Sequence, residues 1–172
     1  MINTNSPLDN ALQHVQVRWV FGSMTEALRR DLVAFWLQEG ALPNADEAWR
    51  RSWEVACILQ EEGRGHIVGA CTIAIRFDDH NRSYGFVRIF IRASSRRVGL
   101  NVRLMKRMIE GFDILAREPG APYRLVATIE NRKLERRAAQ RILAKLGFVH
   151  IGTAANGELA MQRILTANNS HS

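Results

Sequence analysis

Apolar positions along this chain recur with two different periods, and the places where the period changes mark out its elements. Val15 to Phe21 alternates apolar and polar residues and is expected to be a strand. Leu28, Leu32, Phe35 and Trp36 then fall at helical spacing, ended by Gly40 and Pro43. Ahead of them Ser23-Met24-Thr25-Glu26 reads as a capping box, in which a hydroxyl and a Glu three residues on satisfy amides that the first turn leaves unpaired. Asn44-Ala45-Asp46-Glu47 repeats the signal and opens a short helix through about Arg51. Glu54 to Gln60 and His66 to Phe77 are strands separated by the turn Gly63-Arg64-Gly65, and Asp78 to Ser83 is a further polar turn. In the strand Tyr84 to Arg92 the side chains of Tyr84, Phe86, Arg88, Phe90 and Arg92 share one face, and Gly85, Val87, Ile89 and Ile91 share the other.

The second half of the chain switches back to the helical period. Val98, Val102, Met105, Ile109 and Phe112 form the stripe of a helix from about Gly99 to Arg117, broken by Glu118-Pro119-Gly120. Tyr123 to Ile129 is a strand. Asn131 to Leu146 is a helix with Leu134, Ala138, Ile142 and Leu146 inward, closed by Gly147. Val149 to Ile151 and Glu158 to Leu165 form a last pair of strands around Asn156-Gly157. The order is β-α-α-β-β-β-α-β-α-β-β. Its strand–helix–strand segments imply an α/β fold with a mixed, partly parallel sheet flanked by helices.

At 172 residues the chain is expected to be a single domain over 15–165, with flexible ends at 1–14 and 166–172. No apolar run approaches the length of about 18–20 residues needed to cross a bilayer, and Met1 to Asn10 lacks the layout of a secretory signal. A cytoplasmic protein with no membrane contact is therefore expected. Cys57 and Cys71 sit in apolar stretches and read as free, buried thiols, and the five histidines are too scattered for a metal site. The net charge of +7 points to an anionic partner, a nucleotide cofactor or a nucleic acid, or else to a solvated arginine surface. Charge alone does not choose between these readings.

Position narrows the choice. The segment Phe90-Ile91-Arg92-Ala93-Ser94-Ser95-Arg96-Arg97-Val98-Gly99-Leu100-Asn101 joins a strand to a helix N-terminus. Amides there lack intrahelical partners and the helix dipole favours negative charge, so a phosphate docks readily. Gly99 lets the backbone approach an anion, Arg96 and Arg97 add charge, and Ser94 and Ser95 add donors. An ordinary polar strand–helix loop has the same composition.

Two stretches carry a family resemblance. Arg96, Gly99 and Asn101 occupy the defined positions of the acyl-coenzyme-A-binding motif of the GNAT acyltransferases: Arg or Gln, two residues, Gly, one residue, Gly or Ala. Leu143-Ala144-Lys145-Leu146-Gly147-Phe148 resembles the end of that superfamily's last helix. The element order matches as well, over roughly residues 15 to 165. The resemblance implies an N-acyltransferase that moves an acetyl or other acyl group from acetyl-CoA or another acyl-CoA to a primary amine of a small molecule or protein. It places the cofactor between the strand ending at Arg92 and the strand ending at Ile129. The amides of Arg97, Val98, Gly99, Leu100 and Asn101 would hold the pyrophosphate, with Arg96 beside it, and the backbone of Phe90, Ile91 and Arg92, with Asn131, would hold the pantetheine arm.

Three positions depart from the family pattern. Asn101 stands where a small residue is usual. Leu143 replaces the tyrosine that often protonates the leaving thiolate. The strand position that often carries a glutamate base falls near Gly85, with no carboxylate between Tyr84 and Arg92. Glu130 is then the candidate base, the alternative being an exposed carboxylate at a helix start. Tyr84 and Tyr123 are candidate proton donors or packing residues. Arg88 and Arg92 would line the cleft or pair with acids such as Glu54 or Glu130. Trp49 and Trp53, four apart, would wall the acceptor pocket or pack in the core. Two other functions remain open: a nucleic-acid-modifying transferase of the same fold, and a catalytically degenerate module that binds acyl-CoA or nucleic acid. The closing strand pair offers an edge for a homodimer.

Overall fold

The structure is a computed structural model that describes residues 14–96, 99–130 and 133–165, with residues 133 and 134 in backbone only. Arg97, Val98 and Asn131, the side chain of Leu134, and the terminal segments 1–13 and 166–172 lie outside the described residues. The expected element order is present: β1 Val15–Trp19, α1 Glu26–Gln38, α2 Ala45–Ser52, β2 Val55–Glu61, β3 Ile67–Phe77, β4 Ser83–Ile91, α3 Leu100–Leu115, β5 Arg124–Ile129, α4 Lys133–Lys145, β6 Val149–Thr153 and β7 Leu159–Ile164. A one-turn 3-10 helix, Ala93–Ser95, follows β4 and has no counterpart in the periodicity. The strands form a seven-stranded sheet in the order β1-β2-β3-β4-β5-β7-β6. The β4–β5 pair is parallel, whereas β1–β2, β2–β3, β5–β7 and β6–β7 are antiparallel.

The chain separates into two compact units. One takes the chain up to Thr72 together with Ile89–Met108; the other takes Ile73–Arg88 and the chain from Ile109 on. In the first unit α1 buries Leu32, Val33, Phe35 and Trp36 in a cluster with Ala48, Val55, Ile58 and Ala70. Phe90 packs against this cluster and meets the Phe35 ring edge-on at 5.8 Å. The helix begins at Thr25, whose Oγ1 accepts from the Leu28 amide at 3.2 Å. The cap therefore sits two residues later than the sequence pattern suggests, and with Leu28 three residues on it is a single hydroxyl cap and not a reciprocal box; Ser23 instead donates to the Val20 carbonyl. Asn44 caps α2 as expected, accepting from the Glu47 amide at 2.9 Å. Cys57 and Cys71 face each other across β2 and β3 as free, buried thiols. Burial pushes the Cys71 thiol well up from its ordinary value, with the neighbouring Cys57 adding to the effect.

In the second unit the buried side chains include Phe112, Leu125, Leu143, Phe148 and Met161. Arg163 clamps Asp113 through two bonds of 2.7 and 3.1 Å and also donates to the Leu146 carbonyl. The inward face of α4 is rotated from the expected one: Ala138 is exposed, while Leu143 is buried and Ile142 and Leu146 are half-buried. The closure at Leu143 comes from Phe148, whose amide donates back to the Leu143 carbonyl at 2.9 Å.

Candidate active site

The strand-to-helix connection after β4 lies within the first unit. Its entry is pinned by the Arg92 amide, which donates to the Val68 carbonyl at 2.8 Å. The backbone then turns through Ala93–Ser95 and reaches Gly99 at φ +94°, a left-handed conformation that residues with a Cβ rarely adopt. A Cβ added there would meet nothing within 4 Å. Glycine is thus required by the sign of φ and not by crowding, and the space beside it is open. Helix α3 starts at the next residue, and the Arg103 amide bonds the Gly99 carbonyl at 2.9 Å. The amides of Leu100 and Asn101 belong to the first turn, where an α-helix has no intrahelical acceptors for its N–H groups. The 16-residue length of α3 gives that end a full helix dipole. Open space, first-turn amides and a long helix together form a cradle that suits a diphosphate. One feature opposes it: the Asn101 Oδ1 accepts from the Val102 amide at 2.9 Å and so occupies a first-turn donor.

Arg92 and Arg96 are engaged by the protein itself. Arg92 forms an ion pair with Glu61 at 3.0 Å and donates to the Ser95 Oγ at 3.0 and 3.2 Å. Its acidic partner is therefore Glu61, not Glu54 or Glu130; Glu54 pairs instead with Arg50 at 3.3 Å. Arg96 turns back, its Nε donating to the Ile91 carbonyl at 2.9 Å and its guanidinium lying 5.8 Å from the Phe90 ring. A polar cavity of about 410 Å³ opens here, lined among others by Glu61, Arg64, Arg92, Ser94, Ser95 and Leu100. Arg88 lies over the Phe86 ring at 4.9 Å, in line with the shared face expected for the two.

The parallel ladder between β4 and β5 runs from Tyr84↔Arg124 to Val87↔Ala127, and β4 continues to Ile91 beyond it. Glu130 follows β5 directly and is exposed. At Gly85 a Cβ would stand 2.7 Å from the Ile73 Cγ2 and 3.0 Å from the Leu125 Cδ2, so no glutamate side chain fits at that position of β4. Leu143, where a tyrosine is common in the family, is 9% exposed and carries no hydroxyl. Tyr84 is half-buried with the Arg124 guanidinium 5.4 Å from its ring, and Tyr123 is exposed beside Arg82.

Of the two tryptophans proposed for the acceptor side, Trp49 is half-buried and Trp53 is 61% exposed. Both lie against a residue that sequence reasoning missed. The Arg29 guanidinium, from α1, sits 3.9 Å from the Trp53 ring centroid and 4.8 Å from that of Trp49. It donates to the Ser52 Oγ at 2.8 Å and to the Trp49 carbonyl at 3.0 Å. The partners lie 20 to 24 positions along the chain, and only the packing of α1 on α2 brings them together.

Among the described residues no helix is long and apolar enough to cross a membrane, and no group of three or more His, Cys, Asp or Glu side chains is placed to hold a metal ion.

Comparison with known proteins assigns this architecture. The model of the acetyltransferase (GNAT) family matches residues 21–148. No curated protein matches the sequence significantly. Among solved structures, the chain is similar to an acetyltransferase of the GNAT family from Streptococcus pneumoniae, with TM-score 0.65, 19% identity and coverage of 88% of this chain and 99% of the other. It is similar to a GNAT superfamily phosphinothricin acetyltransferase from Sinorhizobium meliloti in complex with acetyl-CoA, with TM-score 0.66, 19% identity and 92% of each chain covered. A third similar structure is the ribosomal-protein-S5-alanine acetyltransferase from Vibrio fischeri, with TM-score 0.61, 16% identity and coverage of 92% and 96%. At these identities the structural likeness speaks for the fold alone, while the family model spans most of the chain: this protein belongs to the acetyltransferase (GNAT) family, and is an acyltransferase with an acyl-coenzyme A as its cofactor.

Proposed function

We propose that this protein transfers an acetyl or other acyl group from acyl-coenzyme A to a primary amine of a small molecule or protein. The observation that carries the reading is the open cradle at Gly99, Leu100 and Asn101, at the N-terminus of α3. In this reading the first-turn amides hold the pyrophosphate, with Arg97 and Val98 completing the loop. The backbone of Phe90, Ile91 and Arg92 holds the pantetheine arm, joined by Asn131. Arg92 itself, tied to Glu61 and Ser95, orders the loop and does not neutralise phosphate charge. Arg88, Trp49 and Trp53 belong to the acceptor side.

The bound cofactor supplies a thioester already activated toward amines. What remains for the protein is to align the amine, exclude competing water and receive a proton, and alignment alone supplies a large share of such accelerations. With no room for a carboxylate at Gly85 and no hydroxyl at Leu143, Glu130 is the proposed proton acceptor, acting directly or through water. Its exposure suits exchange of that proton with solvent.

The test is a thermal-shift screen of acyl-coenzyme-A species, followed by measurement of free thiol release over a panel of primary amines. The reading expects stabilisation by at least one acyl-CoA and amine-dependent thiol release, with Glu130→Gln lowering kcat and leaving the acyl-CoA stabilisation in place. Stabilisation without turnover on any amine would count against transfer, and an unchanged kcat in Glu130→Gln would remove that residue from the reaction.

A further inference from the structure

Arg29 is built into its place more firmly than a surface arginine. Its guanidinium is flanked by two indoles, and its Nε and one Nη2 proton are spent on the Ser52 Oγ and the Trp49 carbonyl. Ser52 is fully buried and is itself fixed, donating to the Trp49 carbonyl at 2.6 Å. The head group therefore has a defined orientation. Among the described residues no carboxylate pairs with it: the acids of α1 and α2 that form ion pairs meet Arg30, Arg50 and Arg51. Nη1 takes part in neither of these two bonds, and Trp53, against whose ring the guanidinium lies, is itself exposed. A planar fork of this kind, desolvated on its faces by aromatic rings and open at one edge, matches the two oxygens of a carboxylate.

Its place in the fold gives the edge a use. Glu61 and Arg92 lie at the end of the first unit that carries the loop to α3, whereas Trp53 lies at the opposite end, where β2 begins at Val55. Within this unit, a pantetheine arm paired with Phe90–Arg92 would run away from the loop, in the direction of that opposite end. We infer that Arg29, with Trp49 and Trp53 as its walls, recognises a carboxylate on the acceptor, so that the preferred substrates are amines that also bear a carboxylate. The inference rests on the acyl-transfer reading for its biological meaning, but not for its binding geometry.

The alternative is that Arg29 serves only as a pin between α1 and the C-terminal end of α2, where a cation also favours the helix dipole. The two readings separate by substrate. Matched amine pairs, one with a carboxylate and one with the corresponding amide, are compared in wild type, Arg29→Ala, Arg29→Lys and Trp53→Ala. The expected result is that Arg29→Ala raises KM for the carboxylate member at least tenfold and for the amide member far less, with the acetyl-CoA Kd little changed. Arg29→Lys recovers part of the loss. Trp53→Ala, at an exposed position that tolerates truncation, weakens both members. Tryptophan fluorescence titration with the same amines gives a readout independent of turnover, because two of the indoles form the site. Carboxylate-selective quenching that is lost in Arg29→Ala and partly kept in Arg29→Lys, without turnover, would keep the inference and sink the transfer reading. Turnover that does not distinguish carboxylate from amide, or equal losses on both in Arg29→Ala and Arg29→Lys, would overturn the inference and leave the transfer reading standing.

Discussion

Asn101 offers a perturbation that separates fold stability from cofactor binding. Its side chain carbonyl holds the Val102 amide at 2.9 Å, so a donor of the first turn of α3 is satisfied internally. Asn101→Ala releases that amide. A hydrogen bond to a charged acceptor contributes about 1.5–3 kcal/mol, and the lower figure corresponds to about a tenfold change in Kd. Asn101→Ala is therefore expected to tighten acetyl-CoA binding by roughly tenfold, with Tm within about 2 °C of wild type because one local bond is lost while helix propensity is gained. Asn101→Asp keeps the shape and adds a charge. Next to a helix N-terminus that charge stabilises by about 0.3–1 kcal/mol, or about 1–3 °C in Tm for a chain of this size. Next to a diphosphate it repels, and after solvent screening a penalty of about 1–2 kcal/mol weakens binding about tenfold. Isothermal titration of acetyl-CoA beside thermal unfolding reads both quantities. The reasoning fails if Asn101→Ala binds no tighter than wild type, or if Asn101→Asp gains stability and affinity together.

Other consequences follow from the same geometry. Gly85→Ala places a methyl 2.7 Å from the Ile73 Cγ2 and 3.0 Å from the Leu125 Cδ2 in a packed region, and is expected to cost about 1–3 kcal/mol and several degrees in thermal unfolding; an unchanged Tm would show that the β4 neighbours yield freely. Gly99→Ala forces a Cβ onto a left-handed backbone at φ +94° with no steric neighbour, so about 1–2 kcal/mol is expected as a roughly tenfold weaker acetyl-CoA Kd; equal loss of binding and of global stability would contradict a purely local effect. Asp78 accepts the backbone amides of Arg82 and His80 and lies near the Arg82 and Arg124 guanidiniums, which hold its carboxyl below the ordinary value. Its contribution is complete above about pH 4, the unfolded value, and is lost as the pH falls through the lower folded value. Acid unfolding of Asp78→Asn is therefore expected to depend less steeply on pH below about 4, and an identical acid limb would remove Asp78 from that transition.

The parts of the fold that were legible in the sequence are those fixed by local chemistry. The strand alternation of Tyr84 to Arg92, the Asn44 cap and the Asn156-Gly157 turn each depend on a few adjacent residues, and each lies where the pattern puts it. The Thr25 cap was displaced because Ser23 and Thr25 offer equivalent hydroxyls, and only the packing of Leu32 and Trp36 decides which one starts the helix. The buried face of α4 was ambiguous because Leu143 borders the stripe of Ile142 and Leu146, and the return of Phe148 draws the buried face toward it. At the candidate site, the loop was visible because a glycine between a strand and a helix is itself the device. The partners of its arginines were not visible. Glu61 reaches Arg92 from the end of β2, and Arg29 reaches Trp49 and Trp53 from another helix, so these contacts exist only once the elements pack.

The most direct measurement follows backbone amide chemical shifts during titration with coenzyme A and, separately, with acetyl-pantetheine, which lacks the diphosphate. The account predicts that the Gly99, Leu100 and Asn101 amides shift strongly with coenzyme A and little with acetyl-pantetheine, while Phe90 to Arg92 respond to both. Amides of the first turn of α3 that stay in place at saturating coenzyme A would contradict it.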